Sequence, residues 1–194
     1  VAHLLDDGFG NSIRPGICHR LAKGTTGVLC IARTPQVLAS LQQQFADRSV
    51  QKTYVAICSG NPGSCTINQA IERHPVHRQR MRVVPPHATT GRHAVSHVTT
   101  LASTAHASLV TVGIETGRTH QIRVHLAHRG TPVYGDSVYG KAKGERPLLH
   151  AYRLGIRHPL TDELMSFCAP VPDDIRHAMK TIKVDESILE EASG

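Results

Sequence analysis

The sequence predicts an α+β fold with a mixed sheet. Runs typical of strands are interleaved with a few helices at irregular spacing, and the chain contains no internal repeat, low-complexity run or Ser/Gly linker. At 194 residues and 40% apolar content the chain can bury a sizeable core, and with only 4% aromatic residues that core must be mostly aliphatic. We therefore expect one domain.

The first half of the chain gives clear local signals. An apolar run at residues 28–32 predicts a buried strand. Thr34 as N-cap and Pro35 at the first helical position then begin a helix, because apolar residues recur after them at spacings of three and four. A second strand is expected at residues 54–58, since it ends in the strong turn signal of residues 59–63.

The second half alternates in the same way. Residues 73–90 contain three prolines and look irregular. Strands are expected at residues 94–101 and 108–115, and a helix at residues 119–129 that stops at Gly130. The last ten or so residues are polar and acidic, and we expect them to be mobile.

Positive charge is concentrated in the first two thirds of the chain. The net charge is +7, and between Gly8 and Ile114 the only acidic residues are Asp47 and Glu72. Eight of the fifteen acidic residues lie at positions 162–191. This distribution indicates a polyanionic partner for the basic part, with a merely solvated basic surface as the alternative.

The cysteines, the hydropathy and the first residue indicate in what environment the protein works and whether the chain is complete. The five cysteines are odd in number and form no C-x-x-C pair, which is typical of thiols in a reducing compartment. No stretch approaches the roughly 18 apolar residues of a membrane span. Val1 is not an initiator residue, so we expect the chain to be a piece of a longer protein.

Three segments match a family pattern in the right order. They read HRLAKGTTG at residues 19–27, KTYVA at 52–56, and TGRTHQIRVHL at 116–126 followed by G-x-P-x-x-G-D-x-x-Y-G at 130–140. These segments resemble H-R-L-D-x-x-T-S-G, K-x-Y-x-A and T-G-R-x-H-Q-I-R-x-H-L of the RluA-type pseudouridine synthases. Shorter matches at Arg14, Pro15 and the final A-P-x-P extend the resemblance to about residues 14–174.

The resemblance implies the pseudouridine synthase catalytic fold, a mixed and largely antiparallel sheet flanked by helices and loops. It implies that this domain covers residues 1–175, without the first strand of the family, and that an acidic extension follows at 176–194. Family members convert uridine in RNA to its C-glycoside isomer without a cofactor. The reaction is initiated by an aspartate after the base has left its stack, which costs about a few kcal/mol. By this match, Tyr54 would pack on the flipped base and Arg123 would pair with the aspartate.

The sequence departs from the family at the nucleophile, because that position is Ala22. A methyl group cannot attack carbon or carry charge, and no Asp or Glu occurs from Gly8 through Ala46. Natural loss of activity, an engineered Asp→Ala change and an acid supplied from outside the motif all remain open. Arg123 would then lack its family partner, and its charge must be met by water, by another side chain or by an anion. Our hypothesis is that an RNA phosphate or a carboxylate of a partner protein occupies the empty place.

RNA contact is expected at the basic positions of the motifs and of the segment 73–92, which has five arginines and three histidines but no acid. The alternative for this segment is a solvated loop, and for Tyr54 it is a buried strand aromatic. His120, His125 and His128 suggest a metal site, but His120 and His125 are five apart on a helix, the wrong spacing for one face, and no Cys or carboxylate joins them. Structural histidines are therefore expected and no metal. The candidate RNA-binding residues are Arg20, Lys23, Arg73, Arg78, Arg80, Arg82, Arg118 and His120.

These inferences lead to three hypotheses of function. The preferred one is a catalytically silent homologue that binds structured RNA, namely large-subunit ribosomal RNA during ribosome assembly, together with ribosomal or assembly proteins. The second is an active uridine isomerase, and the third is a structural subunit of a ribonucleoprotein that holds protein partners. The compartment stays open between the cytoplasm and the mitochondrion, with the basic composition favouring the organelle.

Overall fold

The computed structural model describes residues 16–85, 87–141 and 144–192, so the family matches at Arg14 and Pro15 lie outside the described residues. Within these ranges the helices are α1 (Pro35–Ala46), α2 (Gln121–His128), α3 (Asp173–Ile182) and α4 (Ser187–Glu191). The strands are β1 (Thr26–Gly27), β2 (Gln51–Ser59), β3 (Cys65–Asn68), β4 (Ile71–Arg73), β5 (Met81–Val83), β6 (Val95–Ser103), β7 (Ala107–Ile114), β8 (Leu149–Arg157) and β9 (Leu164–Cys168).

One large sheet organises the molecule. Its strands follow the order β1-β8-β2-β7-β6-β3, β9 pairs with β8, and β4 and β5 form a separate hairpin. Only the β1–β8 pair is parallel among the described strand pairs. The predicted α+β class with a mixed, largely antiparallel sheet is confirmed.

Alternation along β2 divides the core between the two faces of this sheet. Ala56 and Cys58 are buried on the face that packs against Ile122 and Leu126 of α2. Val55 and Ile57 point to the other face, where they meet the apolar side of α3. Burying each such aliphatic side chain contributes roughly 1.5–3 kcal/mol. The two faces therefore have different roles, since the candidate site lies on the α2 face.

The predicted start of α1 is confirmed. Pro35 occupies the first turn, and the hydroxyl of Thr34 accepts a hydrogen bond from the Val37 N–H at 3.3 Å. Leu41 is the buried residue of this helix and packs with Leu154 and Ile156 of β8. The predicted helix near residues 119–129 is also confirmed, as α2, and Gly130 follows it with φ +77°.

Two predictions in the first half are wrong. Residues 28–32 do not form a strand: Ile31 makes a single bridge with Ile17, and the Cys30 N–H donates to the His19 ring at 2.8 Å instead of to a neighbouring strand. Residues 73–90 are not irregular throughout, because β4 and β5 pair across a cross-strand ion pair between Glu72 and Arg82 at 2.6 Å. This hairpin is stabilised by contacts between its two strands. Its sequence shows no sustained alternation between apolar and polar residues, so the strands could not be predicted from the pattern.

The C-terminal segment also differs from the expectation. The boundary expected between residues 175 and 176 falls inside α3, and Met179 and Ile182 beyond it are buried against the sheet. Residues near the end are anchored as well, since Leu189 of α4 is fully buried. The prediction of a mobile acidic end is therefore wrong for the residues up to 192. Within the described ranges, none of the helices has the length and apolar character that a bilayer crossing requires.

Candidate active site

A cavity of about 370 Å³ opens on the α2 face of the sheet. It lies between the loop that precedes β1, the start of β2 and the N-terminal end of α2. Seven of the eleven residues predicted for the site line it, namely Ala22, Tyr54, Arg123, Arg20, Arg73, Arg118 and His120. Their roles remain predictions, but the structure brings them together from four separate stretches of the chain.

The loop that carries Ala22 is held in place by a tight turn and by the close packing of β1 against β8. The Thr25 N–H donates to the carbonyl of Ala22 at 2.9 Å. Gly27 has φ +119°, and a Cβ there would lie 2.2 Å from the carbonyl oxygen of Ala151, so only glycine lets β1 pack against β8. The Thr25 hydroxyl is buried without a hydrogen-bond partner among the described residues. An unpaired buried hydroxyl costs about 1–3 kcal/mol, so this group at the cavity wall is available to a bound molecule or to a neighbouring side chain.

Gln121 fixes the loop in front of α2. Its side-chain oxygen accepts from the Thr116 hydroxyl at 2.7 Å and from the Arg118 N–H at 3.0 Å. Its amide nitrogen donates to the carbonyl of Val95 on β6 at 2.9 Å. His120 then enters the helix with φ +56°, as the N-cap residue. These contacts give a physical reason for the T-G-R-x-H-Q pattern, because they orient Arg118 and His120 at the cavity.

Arg123 is not left without a partner. Its Nε and Nη2 donate to the two carboxylate oxygens of Asp136 at 2.6 and 2.7 Å, and both side chains are almost completely buried. Burial alone would raise the pKa of Asp136, but hydrogen bonds from Arg123 and from the N–H groups of Val138 and Tyr139 outweigh it and hold that pKa below its ordinary value. The expectation that an RNA phosphate or a foreign carboxylate neutralises Arg123 is therefore wrong.

Asp136 was missed as a site residue although the sequence contained a signal. It is the aspartate of the G-D-x-x-Y-G match, thirteen residues after Arg123. The arginine was assigned to the nucleophile position because of the family match, and no local pattern indicates which carboxylate a buried guanidinium will choose. The bidentate geometry leaves Nη1 of Arg123 without a hydrogen bond to any described residue, and this atom can serve a ligand in the cavity.

Tyr139 connects the β4–β5 hairpin to the Arg123–Asp136 ion pair. It is a second site residue that the sequence analysis did not predict. Its hydroxyl accepts from the Met81 N–H at 2.8 Å and lies 2.9 Å from Nδ1 of His120. Its ring faces the guanidinium of Arg123, with 5.1 Å to the ring centroid. Burial, and next the charge of Arg123, lower the pKa of His120, so its imidazole is neutral near neutral pH.

Tyr54 belongs to the core and to the cavity at once. It packs against the apolar cluster under α2, and its ring forms part of the cavity wall. Burial raises the pKa of its phenol to about 12, so it stays neutral at physiological pH. Tyr54 is thus both a buried strand aromatic and a cavity-lining residue, and its stacking role stays a prediction.

The rim of the cavity is strongly cationic. Arg20 donates to the Thr119 hydroxyl at 3.2 Å, and Arg118 donates to the His93 carbonyl at 2.9 Å. A second groove of about 410 Å³ shares Arg20, Arg73 and Arg118 with the cavity and adds Arg92. None of the described residues that line the first cavity is acidic. Glu72 lines the second groove, where its charge is held by Arg82.

The other predicted RNA-binding residues lie outside the cavity. Lys23 and Arg78 are exposed, Lys23 beside the cavity loop and Arg78 near the hairpin tip. The guanidinium of Arg80 lies over the Tyr139 ring, 5.6 Å from its centroid, and Arg82 pairs with Glu72. These four positions therefore contribute charge around the site, with that of Arg82 already compensated.

Two further histidines of α2, His125 and His128, do not line the cavity. His125 is buried between the hydroxyl of Ser96 at 2.9 Å and the carbonyl of Gln69 at 3.0 Å. His128 is exposed at the end of the helix. In the part of the chain that the structure describes, no three His, Cys, Asp or Glu side chains are grouped so as to hold a metal ion.

Comparison with known proteins decides the family. The family model described as RNA pseudouridylate synthase matches residues 4–128, which is more than half of the chain. The chain belongs to the RluA-type pseudouridine synthase family. It is 42% identical over 188 residues to an uncharacterized RNA pseudouridine synthase of Chloroflexus aurantiacus, covering 94% of this chain and 58% of that protein. It is 36% identical over 189 residues to the ribosomal large subunit pseudouridine synthase D of Zymomonas mobilis, covering 91% and 59%. The chain thus spans somewhat over half the length of these relatives.

Solved structures of the family have the same fold. Human RNA pseudouridylate synthase domain containing 1 matches with a TM-score of 0.70 and 30% identity, over 79% of this chain and 68% of that one. Human RNA pseudouridylate synthase domain containing 4 matches with a TM-score of 0.73 and 25% identity, over 86% and 75%. The predicted pseudouridine synthase fold is therefore confirmed.

Proposed function

We propose that this protein binds structured RNA through the cationic cavity and groove and lacks the isomerase activity of its family. One observation carries the proposal: arginines and a neutral histidine line the cavity, no described lining residue is acidic, and a methyl group stands at Ala22. Such a surface attracts phosphates and accepts an extruded base. It offers no carboxylate that could start the reaction.

Asp136 does not substitute for the missing nucleophile. Its side chain is fully buried, and both carboxylate oxygens accept hydrogen bonds from Arg123. One of these oxygens also accepts the N–H groups of Val138 and Tyr139, at 2.9 and 3.1 Å. A carboxylate with this many donors is a weak nucleophile, and leaving the pair would strand a buried guanidinium at a cost of about 3–5 kcal/mol. Its role is therefore structural.

Ribosomal RNA of the large subunit is the RNA class we propose, since the Zymomonas mobilis relative is described as a ribosomal large subunit pseudouridine synthase. A protein that keeps the RNA surface and has lost the chemistry would act during ribosome assembly, in the cytoplasm or in mitochondria, beside ribosomal or assembly proteins.

An active isomerase is the second candidate, and the unpaired hydroxyl of Thr25 favours it. A carboxylate at position 22 would supply the acceptor that this buried hydroxyl lacks, and the turn places the two residues together. This candidate requires an Asp at position 22 in the natural protein, or an acid delivered by a partner.

Two measurements on the same RNA test the proposal. Crosslinking the protein in cells and sequencing the attached RNA identifies the target. Binding of the purified chain to a transcript of that target, measured against salt, should weaken steeply as salt rises. An isomerisation assay on the same transcript should show no conversion of uridine. Binding that does not depend on salt would favour the third hypothesis, a subunit whose partners are proteins.

A further inference from the structure

Two cysteine side chains meet where the chain enters and leaves the loop that carries Ala22. Ile17 and Ile31 form an antiparallel bridge, and the Ala32 N–H donates to the Gly16 carbonyl at 2.8 Å. In this register the next opposed residues are Cys18 and Cys30. No C-x-x-C spacing reveals the pair, because eleven residues, 19–29, separate the two thiols in sequence.

The geometry of this pair fits a disulfide. Opposed residues of antiparallel segments have Cα atoms about 4.5–5.5 Å apart, and disulfides require about 4.4–6.8 Å. The thiol of Cys18 lies over the backbone of its neighbour, with Sγ 3.2 Å from the carbonyl oxygen of Cys30. Both side chains are half-buried, so neither is sealed from a small oxidant. The bridge at Ile17 and Ile31 together with this contact therefore places the two cysteines next to each other.

The electrostatics of the pair favour Cys30 as the reacting thiol. The neighbouring Cys18 side chain lowers the pKa of the Cys30 thiol to about 7, against the opposing effect of burial. The Cys30 side chain, and then burial, raises the pKa of Cys18. A thiolate is the nucleophilic form of cysteine, and a partner thiol beside it is what resolves the oxidised product.

We propose that Cys18 and Cys30 are an oxidation site that forms a reversible intramolecular disulfide with a peroxide as the oxidant. The Cys30 thiolate attacks the peroxide, the O–O bond breaks, hydroxide leaves, and Cys30 becomes a sulfenic acid. The Cys18 sulfur then attacks that sulfur, the S–O bond breaks, the S–S bond forms, and the thiol proton leaves with the oxygen as water. In total two thiols and one peroxide give one disulfide and two waters, and a thiol reductant reverses the change.

The bond would close the ends of the loop that forms one wall of the cavity. Residues 19–29 carry Arg20, Ala22 and Thr25, all of which line the cavity. Joining the two ends restricts the unfolded chain and therefore stabilises the loop in its folded position. The inference does not depend on the proposed function, since it concerns the thiols alone.

Differential alkylation with peptide mass mapping tests the proposal on the unmodified protein. Hydrogen peroxide is added, the reaction is quenched, free thiols are alkylated under denaturing conditions, and the digest is analysed. We expect a linked peptide pair containing Cys18 and Cys30, its loss after dithiothreitol, and an alkylated Cys65. Cys65 is the matched internal control, because it is also half-buried but its thiol meets only the Pro62 carbonyl.

Variants separate the two steps of the reaction. In Cys18→Ser, Cys30 should accumulate as a sulfenic acid that dimedone traps, with no disulfide within the chain. In Cys168→Ser, which removes an exposed thiol elsewhere, the linked pair should form as before. The proposal is overturned if Cys18 and Cys30 both remain alkylable at peroxide levels that oxidise Cys168. It is equally overturned if either cysteine is found linked to a different one.

Discussion

Arg123 and Asp136 form a buried, bidentate ion pair behind the cavity wall, with nitrogen–oxygen distances of 2.6 and 2.7 Å. The pair belongs to the scaffold of the site, because it joins α2 to the loop after it, and through Tyr139 it reaches the β4–β5 hairpin. The guanidinium is thus positioned and neutralised independently of residue 22. The wall of the cavity is therefore held in place without a carboxylate at position 22.

The first prediction concerns the stability that this pair contributes. In Asp136→Asn the guanidinium stays buried without a counter-charge, so the free energy of unfolding should fall by about 3–5 kcal/mol in urea titrations. The matched control is Asp162→Asn, which weakens an exposed pair with Arg157 at 3.2 Å and should cost under about 1 kcal/mol. Equal stability of the two variants would contradict the structural role of Asp136.

The pH dependence of stability follows from the same carboxylate. Its pKa in the folded protein lies below its ordinary value, so its contribution is fully present above the unfolded pKa of about 3.9 and is lost as pH falls through the folded pKa. The difference in unfolding free energy between the natural chain and Asp136→Asn should therefore be constant above about pH 5 and shrink below about pH 4. A difference that stays the same down to pH 2 would show that the charge of Asp136 is not what stabilises the fold.

A carboxylate restored at position 22 should restore some chemistry. The Thr25 hydroxyl is available to an acceptor, and Tyr54 and the free Nη1 of Arg123 remain at the cavity. We expect Ala22→Asp to give measurable uridine isomerisation, reduced by about 100-fold for each ångström of misplacement of the carboxylate. Ala22→Asn has the same shape without the charge and should stay inactive. Isomerisation by Ala22→Asn at the rate of Ala22→Asp would contradict the assignment of residue 22 to the nucleophile position.

RNA affinity should depend on the arginines of the α2 face. Changing Arg73 and Arg78 together to Gln should weaken binding to many RNA sequences alike and reduce the salt slope by roughly 0.7 to 0.9 for each lost phosphate contact. Lys180→Gln removes an exposed charge from α3, on the opposite face of the sheet, and should leave both quantities unchanged. If the arginine variant and the lysine variant bind alike, the hairpin is an ordinary solvated surface.

Features encoded within a few residues could be predicted from the sequence. Thr34 and Pro35 signal the start of α1 through contacts made within one turn, and Gly130 marks the end of α2 through its own backbone conformation. The structure also places Ala22, Tyr54 and Arg123, which the family match singles out, at one cavity, while their roles stay predictions. The local features are predictable because their patterns report contacts made within a few residues.

Features that depend on distant partners could not be predicted. The Met81 N–H bonds to a tyrosine 58 residues away, and this contact together with Glu72–Arg82 orders a hairpin that looked irregular. The partner of Arg123 was misassigned because several carboxylates are compatible with one sequence and only tertiary packing selects Asp136. The burial of Leu189 was missed because two adjacent apolar residues, Ile188 and Leu189, among acids give no helical pattern.

The central claim is tested most directly by a single-turnover isomerisation assay. The unmodified chain, with Ala22, is held in excess over unmodified ribosomal RNA transcripts, at a concentration that saturates binding, and pseudouridine is mapped by chemical labelling and reverse transcription. We predict binding without a single modified position, because the cavity offers no ionisable group at Ala22. Conversion at one site that disappears when Tyr54 is changed to Ala would contradict the account, since it would show that the cavity still performs the reaction.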